Sequence, residues 1–314
     1  LSGLLAITLL IGGLIVLVLD LGRPERLIVA MTHYNFKSIF AWNIILYNGF
    51  IALVAVYLWT MMEKRMNRYT PVAGFFAFIW RLILTTGTGS IFGFLVARQG
   101  YDAAIMAPMF VVMSFSFGLA IFLLVLMATY RMTERPLGDA LLKRLKNLLG
   151  VFIAGVLYFV AAMHLTNLYA TEHHGVERFI LMDGGIYTTL FWFGYFVLGT
   201  LAPLALLYHP ATGMKRGAIA LASALVVLGG FTLVYVIVIG GQAYPLVMFP
   251  GYEVVSSFEG AVNSEFYAYS PTIYEFLLGL AGVALTLAMT TVAVKNLRFL
   301  PESLADSEVD PHSK

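Results

Sequence analysis

Eight long apolar runs recur along this 314-residue chain, and they constrain its fold more than any other feature. A helix that crosses a hydrocarbon core of about 30 Å needs about 20 consecutive apolar residues. Lipid offers no hydrogen-bonding partners, so only helices and closed barrels span it, and barrel strands alternate in polarity instead of staying apolar. The runs therefore predict an all-α integral membrane protein with spanning helices at 1–19, 39–62, 73–97, 105–130, 147–168, 186–208, 217–240 and 271–295.

The composition agrees with this fold class and excludes several functions. Hydrophobic residues make up 60% of the chain and charged residues 11%, whereas a soluble domain is about 25% charged. The net charge of +2 does not indicate nucleic acid as a partner. The absence of cysteine excludes cysteine-ligated iron–sulfur clusters, thiolate catalysis and disulfides from this chain. The sequence has no soluble domain to carry chemistry.

Basic residues predict the orientation, because they accumulate on the cytoplasmic side of membrane proteins. One alternate set of connections and helix ends carries thirteen Lys and Arg residues, and the other set carries five. The first set is predicted to be cytoplasmic, together with the polar tail 300–314, which we expect to be disordered. The chain also starts inside an apolar run, which predicts further helices before residue 1. The long connection 241–270 and the stretch DLGRPER then lie on the outer side.

The stretch DLGRPER places Asp20, Arg23, Glu25 and Arg26 together at the end of the first apolar run. Gly22 and Pro24 are typical of a helix end followed by a turn. In one interpretation this is an interfacial loop whose arginines meet lipid phosphates or pair with Glu25. In the other, Asp20 is a hydrogen-bond or proton partner of a bound ligand, because charges near the bilayer usually face a protein interior or a cavity.

The segment that follows combines polar and aromatic side chains before the second apolar run. Such a cluster beside apolar helices suits an amphiphilic ring with two carbonyl groups, such as a quinone. Its members are His33, Tyr34, Asn35, Lys37, Ser38 and Trp42.

Three ionisable residues lie within or at the ends of spanning helices, and each has a structural and a functional interpretation. Arg81 either pairs with carbonyls or snorkels, or it joins Thr85, Thr86, Thr88 and Ser90 along a chain of waters that carries protons. Glu275 is either a first-turn acid favoured by the helix dipole, after a Ser270 cap, or a proton-relay carboxylate. His164 is either a packed hydrogen-bonding residue or part of the same proton route.

A metal site is not expected, and a dihaem cytochrome b is disfavoured, whereas a single haem stays open. Haem held between helices needs facing axial histidines at matching depth, and only His33 and His164 lie near one membrane boundary. The adjacent His173 and His174 are a weak metal signal.

Several motifs resemble the NrfD / polysulfide-reductase membrane-subunit (PsrC-like) family. DLGRPERL resembles that family's signature, and NFKSIFAWNIILYN resembles the segment entering its next helix. GTGSIFGFLVARQGYDAAIMAPMFVVMSFSFGLAI is similar to the connection between its two bundles. FYAYSPTIYEFLLGLAGVAL with LRFLP is similar to the ten-helix branch with HybB-like and DsrP-like members.

The resemblance implies two four-helix bundles plus flanking helices, with about two helices missing before residue 1. It implies a quinone (menaquinone or ubiquinone) bound as substrate near the outer face of the cell inner membrane, with no cofactor in the chain itself. The partners implied are a ferredoxin-like iron–sulfur subunit docked on that face and further redox subunits. Asp20 would bind or deprotonate the quinol, and Arg23 and Arg26 would brace the pocket or dock the partner. The Asn-Pro-Thr-like turn common among relatives is here His33-Tyr34-Asn35-Phe36.

Two other functions remain open at this level. A secondary transporter for a small anion would use the intramembrane Arg81 and glycine-interrupted helices. It should carry a second Arg-bearing helix in its other half, which the sequence lacks. A passive membrane anchor for the iron–sulfur subunit would not need Asp20 for quinol turnover.

Overall fold

A computed structural model describes residues 1–245, 269–297 and 300–309. The described chain has eight helices long and apolar enough to cross a membrane, as the sequence predicts. They are α1 (Ser2–Asp20), α2 (Ile39–Met62), α3 (Thr70–Gly93), α4 (Met106–Met132), α5 (Asp139–Tyr169), α6 (Ile186–Tyr208), α7 (Arg216–Ala243) and α8 (Ile273–Asn296). The all-α membrane fold is therefore confirmed. Residues 246–268 of the predicted outer connection lie outside the described residues.

The start of α5 differs most from the prediction. The basic stretch 131–146 was expected to connect two spanning helices, but its second half belongs to α5, which begins at Asp139. Leu142 and Lys146 are buried there, so this first part of the helix packs against protein. Lys146 stays buried because its Nζ atom donates to the carbonyl oxygen of Leu207 at 2.7 Å.

The described residues form two compact units with four spanning helices each. The first unit contains α1, α2, α3 up to Ile91, and α8. Within it, α1 packs on α8 through buried threonines, where the Oγ1 atoms of Thr8 and Thr290 lie 2.9 Å apart. A Cβ atom added at Gly12 would overlap Thr286 Oγ1, so only glycine allows this close approach.

The second unit contains α4 to α7. Its core is built of methionine, valine and aromatic side chains, among them Met109 and Tyr187 at 0% exposure. Helices α6 and α7 cross where Gly199 faces Gly229, and a Cβ on either would overlap the other's backbone. The middle of α6, Leu190–Leu201, has the wider i→i+5 turns of a π-helix.

Part of the polar tail is ordered, contrary to the disorder expected of it. Leu304 pairs with Leu137 in a short parallel bridge, with Gly138 N donating to Leu304 O at 2.7 Å. The carboxylate of Asp306 accepts hydrogen bonds from the backbone N–H groups of Asp139 and Ala140. The tail thereby caps the first turn of α5, where the N-cap residue, Gly138, has no side chain.

Candidate functional site

Asp20 is the last residue of α1, and its side chain is exposed. The helix ends because Gly22 follows and Pro24 starts a short 3₁₀ turn. No hydrogen bond or ion pair joins the Asp20 carboxylate to another described residue. Helical spacing places Asp20 on the face that also carries Leu9, Gly13 and Leu17, all exposed. The Asp20 carboxylate, a hydrogen-bond acceptor, thus lies at the end of an exposed apolar stripe on α1.

The charged residues after Asp20 do not neutralise one another. Arg23, Glu25 and Arg26 are exposed, and within the described parts of the chain none of their side chains forms an ion pair. The expected pairing of the arginines with Glu25 is therefore not formed. Both arginines remain open to an anionic partner.

The segment before α2 orders its aromatic rings side by side. The ring of Phe36 stacks on Tyr34 at 5.9 Å between centroids and meets Trp42 at 5.8 Å. The Trp42 Nε1–H donates to the carbonyl oxygen of Phe36 at 3.0 Å, which fixes the indole against the loop. Trp42 can therefore offer a ring face but no further donor.

Other polar groups of this segment keep hydrogen-bonding capacity for a ligand. His33 Nδ1 lies 3.0 Å from Thr32 Oγ1, which leaves Nε2 available. Asn35 Oδ1 accepts from the backbone N–H of Lys37, which leaves the amide donors. Among the described residues, no hydrogen bond, ion pair or ring contact joins these groups to Asp20.

Arg81 lies half-buried midway along α3, with its guanidinium 5.8 Å from the centre of the Phe50 ring. Helical spacing puts Arg81, Thr85 and Thr88 on one face, whereas the other two hydroxyl residues expected along the same chain of waters lie on other faces of α3. Thr88 Oγ1 lies 3.3 Å from Oδ1 of Asn43, a residue of α2 that is 1% exposed. The polar side chains of Asn43, Thr88, Thr85 and Arg81 thus follow one another between α2 and α3, and we call them the Asn43 line. Sequence reasoning missed Asn43, because it sits singly inside an apolar run.

Glu275 takes the structural position that was one of its two interpretations. Its Oε2 atom accepts from the backbone N–H of Thr272 at 2.6 Å, while Thr272 Oγ1 accepts from Glu275 N–H. This is a capping box, and the cap is Thr272 instead of the expected Ser270. The carboxylate is exposed, so it remains accessible to protons.

His164 is not an isolated packed histidine. Its Nδ1 atom lies 2.6 Å from Oε2 of Glu177, whose other carboxylate oxygen accepts from Asn167 Nδ2 at 2.9 Å. Glu177 is 0% exposed and His164 7%. The ring of Phe191 meets the imidazole edge-on at 4.8 Å. The pair can hold and pass a proton between imidazole and carboxylate. Sequence analysis missed Glu177, because nothing in a short polar connection predicts that a glutamate is buried. It therefore also missed Asn167, the partner of Glu177.

The predicted residues are divided between the two units. His164 belongs to the second unit, and all the others, from Asp20 to Glu275, belong to the first. The adjacent His173 and His174 point to different carbonyls, those of Gln99 and Leu168. Among residues 1–245, 269–297 and 300–309, no group of three or more His, Asp or Glu side chains is placed to hold a metal ion.

Comparison with known proteins finds similarity along nearly the whole chain. The family described as "Polysulphide reductase, NrfD" matches residues 1–245. A protein of Archaeoglobus fulgidus, described as an Hdr-like menaquinol oxidoreductase integral membrane subunit, is 28% identical over 305 residues. The match covers 96% of this chain and 75% of that protein. A selenate reductase subunit of Mesobacillus selenatarsenatis is 26% identical, and the match covers 90% of this chain and 74% of that protein.

Proposed function

Since this chain belongs to the NrfD (polysulphide reductase) family, we propose that it is the quinone-reactive membrane subunit of a respiratory oxidoreductase complex. The observation that carries the proposal is the similarity over 96% of the chain to a subunit described as part of a menaquinol oxidoreductase. The unpartnered Asp20 carboxylate beside an open apolar stripe supports it.

The proposed chemistry uses the hydrogen-bonding groups of this site that have no partner among the described residues. Oxidation of a quinol releases two electrons and two protons, so the site needs a proton acceptor at a hydroxyl oxygen. Asp20 accepts the proton of one hydroxyl group, and the second proton passes to water at the exposed rim. Tyr34, Asn35 and His33 orient the ring oxygens, and Trp42 packs against the ring. The isoprenoid tail lies along the apolar stripe of α1, because both are hydrocarbon. In the reverse direction the same groups would protonate a quinone.

The electrons need an acceptor outside this chain, which has no cysteine to ligate a cluster. We assign that role to a ferredoxin-like iron–sulfur subunit on the outer face, within a complex of further redox subunits. Arg23 and Arg26 dock it, since exposed and unpaired arginines bind carboxylates in bidentate geometry. In this arrangement the C-terminus is cytoplasmic and DLGRPER faces outward in the cell inner membrane.

A proton route through the membrane is the second part of the proposal. In the first unit, Arg81 and the Asn43 line carry protons. In the second unit, His164 and Glu177 carry them. Glu275 takes up or releases protons at the rim. Ionisable groups inside a membrane are costly, and they usually mark such pathways. The test is proton uptake per quinol oxidised in liposomes, comparing wild type with His164→Gln. A ratio that is unchanged in the variant removes His164 from the route.

The decisive experiment uses the purified complex and follows reduction of its iron–sulfur clusters by a quinol analogue. Asp20→Asn keeps the shape of the side chain but removes its basicity, so we expect cluster reduction to slow at least about 100-fold, in line with loss of general-base catalysis. Glu25→Gln is the matched control, because it neutralises an exposed carboxylate five positions away. Assembly is verified in both variants.

If Asp20→Asn assembles and its clusters are reduced at the wild-type rate, DLGRPER is a structural or docking element. The quinone site would then be sought around Glu275 and His164. Unchanged turnover in every variant of these residues would make the chain a passive anchor.

A further inference from the structure

A cleft of about 550 Å³ opens in the second unit between the last turns of α4 and the first turn of α7. Three arginines stand around it, Arg131 and Arg135 at and after the end of α4 and Arg216 at the start of α7. They lie at the helix ends, in the set of connections with the larger number of basic residues. The rim of the cleft therefore faces the membrane–water boundary on the basic side.

The walls below the rim are apolar. They are formed by Leu124, Met127, Ala128 and Ala220. Leu124 and Arg131 are seven residues apart on one helix, which corresponds to about 10 Å along its axis. The cleft thus runs from a cationic rim toward the hydrocarbon region.

Not all of the positive charge at the rim is neutralised within the protein. Arg216 donates to Asp139 Oδ1 at 2.8 Å and to the carbonyl oxygen of Leu137 at 2.6 Å, so its guanidinium is engaged. Arg131 is exposed, and its side chain forms no hydrogen bond or ion pair with the described part of the chain. Arg131 therefore keeps free donors for an anion at the rim.

The start of α7 leaves room for a ligand group. A Cβ atom added at Gly217, in the first turn, meets nothing within 4 Å. This open space lies beside Arg216 on the rim of the cleft.

We propose that this cleft binds one anionic phospholipid, with its phosphate on Arg131 and an acyl chain on the apolar wall. Basic pockets between spanning helices are suited to anionic headgroups, and guanidinium groups bind phosphate oxygens in bidentate geometry. The apolar wall distinguishes a lipid from free phosphate, since an inorganic ion gains nothing from a hydrocarbon surface about 10 Å away. The site is independent of the quinone chemistry.

Native mass spectrometry of the purified full-length protein in non-ionic detergent tests the proposal. The probes are dioleoyl phosphatidylglycerol, dioleoyl phosphatidylcholine and inorganic phosphate. We expect one phosphatidylglycerol to bind about tenfold more tightly than phosphatidylcholine, because the choline cation lies next to the same phosphate and is repelled by the guanidinium, a difference of about one decade in affinity. This comparison needs no variant, so it holds even where a substitution impairs folding.

Variants locate the site. Arg131→Gln should weaken phosphatidylglycerol binding about tenfold, while Lys143→Gln, which removes an exposed charge of α5 outside the cleft, should leave it within about twofold. Ala220→Phe narrows the apolar wall and should weaken both lipids.

Three outcomes overturn the proposal. Equal binding of the two lipids by wild type removes the charge selectivity. Equal losses in Arg131→Gln and Lys143→Gln indicate general surface charge instead of a site. Displacement of phosphatidylglycerol by millimolar phosphate, together with no effect of Ala220→Phe, assigns the cleft to the free ion.

Discussion

The Nδ1 atom of His164 and the Oε2 atom of Glu177 lie 2.6 Å apart in a site from which water is nearly excluded. His164 lies near the end of α5, and Glu177 lies on the short helix His174–Arg178 that follows. Asn167 holds the second carboxylate oxygen, so both oxygens of the buried acid have a partner. The pair fixes the connection between α5 and α6 to the end of α5.

Replacing Glu177 by alanine should destabilise the second unit strongly. The change leaves His164 and Asn167 without their acceptor, and each buried polar group that loses its partner typically costs about 1–3 kcal/mol. The measurement is the free energy of unfolding in detergent. Glu172→Ala is the matched control, because that acid is 75% exposed beside His173, and we expect a change below about 1 kcal/mol. Equal effects of the two variants would contradict the structural role of the pair.

The α6–α7 crossing should not tolerate a side chain at Gly229. In Gly229→Val the new Cβ overlaps the backbone of Gly199, so the helices must separate and lose contacts along their length. We expect the midpoint of thermal unfolding to fall and the yield of folded protein to drop. Gly118→Ala on α4, where a Cβ meets nothing within 4 Å, is the control and should keep or raise stability by up to about 1 kcal/mol. A stable Gly229→Val protein would show that the two helices can separate at this crossing without loss.

Tyr101 gives the second unit a defined response to alkaline pH. Its hydroxyl donates to the carbonyl oxygen of Val238 at 2.5 Å, and the side chain is 2% exposed. Burial raises the pKa of Tyr101, and a hydrogen bond with Gln242 and the charge of Arg98 lower that pKa by less. The folded protein therefore holds this proton more tightly than the unfolded chain, whose tyrosines titrate near pH ~10.

The direction in which stability changes with pH follows from this difference in proton affinity. The contribution of Tyr101 to stability is complete below pH ~10 and is lost as the pH rises through the folded-state pKa. Tyr101→Phe should lower stability at neutral pH by about 1 kcal/mol, the value of one hydrogen bond, and should flatten the decline above pH ~10. Unfolding measured from neutral to alkaline pH checks this, and parallel profiles for the two proteins would refute it.

The docked tail should depend on Asp306. Asp306→Ala removes the carboxylate that caps α5, and loss of an N-cap costs about 1 kcal/mol. We expect residues 300–309 to become more accessible in hydrogen exchange or limited proteolysis. Glu302→Ala removes an exposed acid from the same segment and should leave the protection unchanged. Similar exposure of the tail in both variants would indicate that charge, not the cap, holds it.

The spanning helices could be predicted because crossing a membrane requires a sufficient number of consecutive apolar residues, and these can be counted in the sequence. The predicted and observed bounds of α2 coincide at residues 39–62. The start of α5 could not be predicted from hydropathy, because the turns around Lys143 are polar and their burial depends on neighbouring helices. Asp139 begins that helix with help from Asp306, 167 positions away, a contact that no local pattern indicates.

The residues of the candidate site also divide into those that the sequence reveals and those that only the structure reveals. Asp20 and Arg81 were found because a charge next to or inside an apolar run is conspicuous. Glu177 was missed because its burial comes from tertiary packing of a short connecting helix. Asn43 was missed because one amide in a long apolar run hardly changes its hydropathy, although its contact with Thr88 is what extends the polar line.

The Asp306 cap also fixes an order of events during synthesis. Helix α5 enters the membrane while residues 304–306 are still untranslated, so its first backbone N–H groups must initially be satisfied by water. Only after the last spanning helix has been inserted can Leu304 and Asp306 reach residues 137–140. A chain truncated before residue 304 would insert all eight described spanning helices yet leave this end of α5 open, so docking of the tail reports that translation has passed the last of these eight helices.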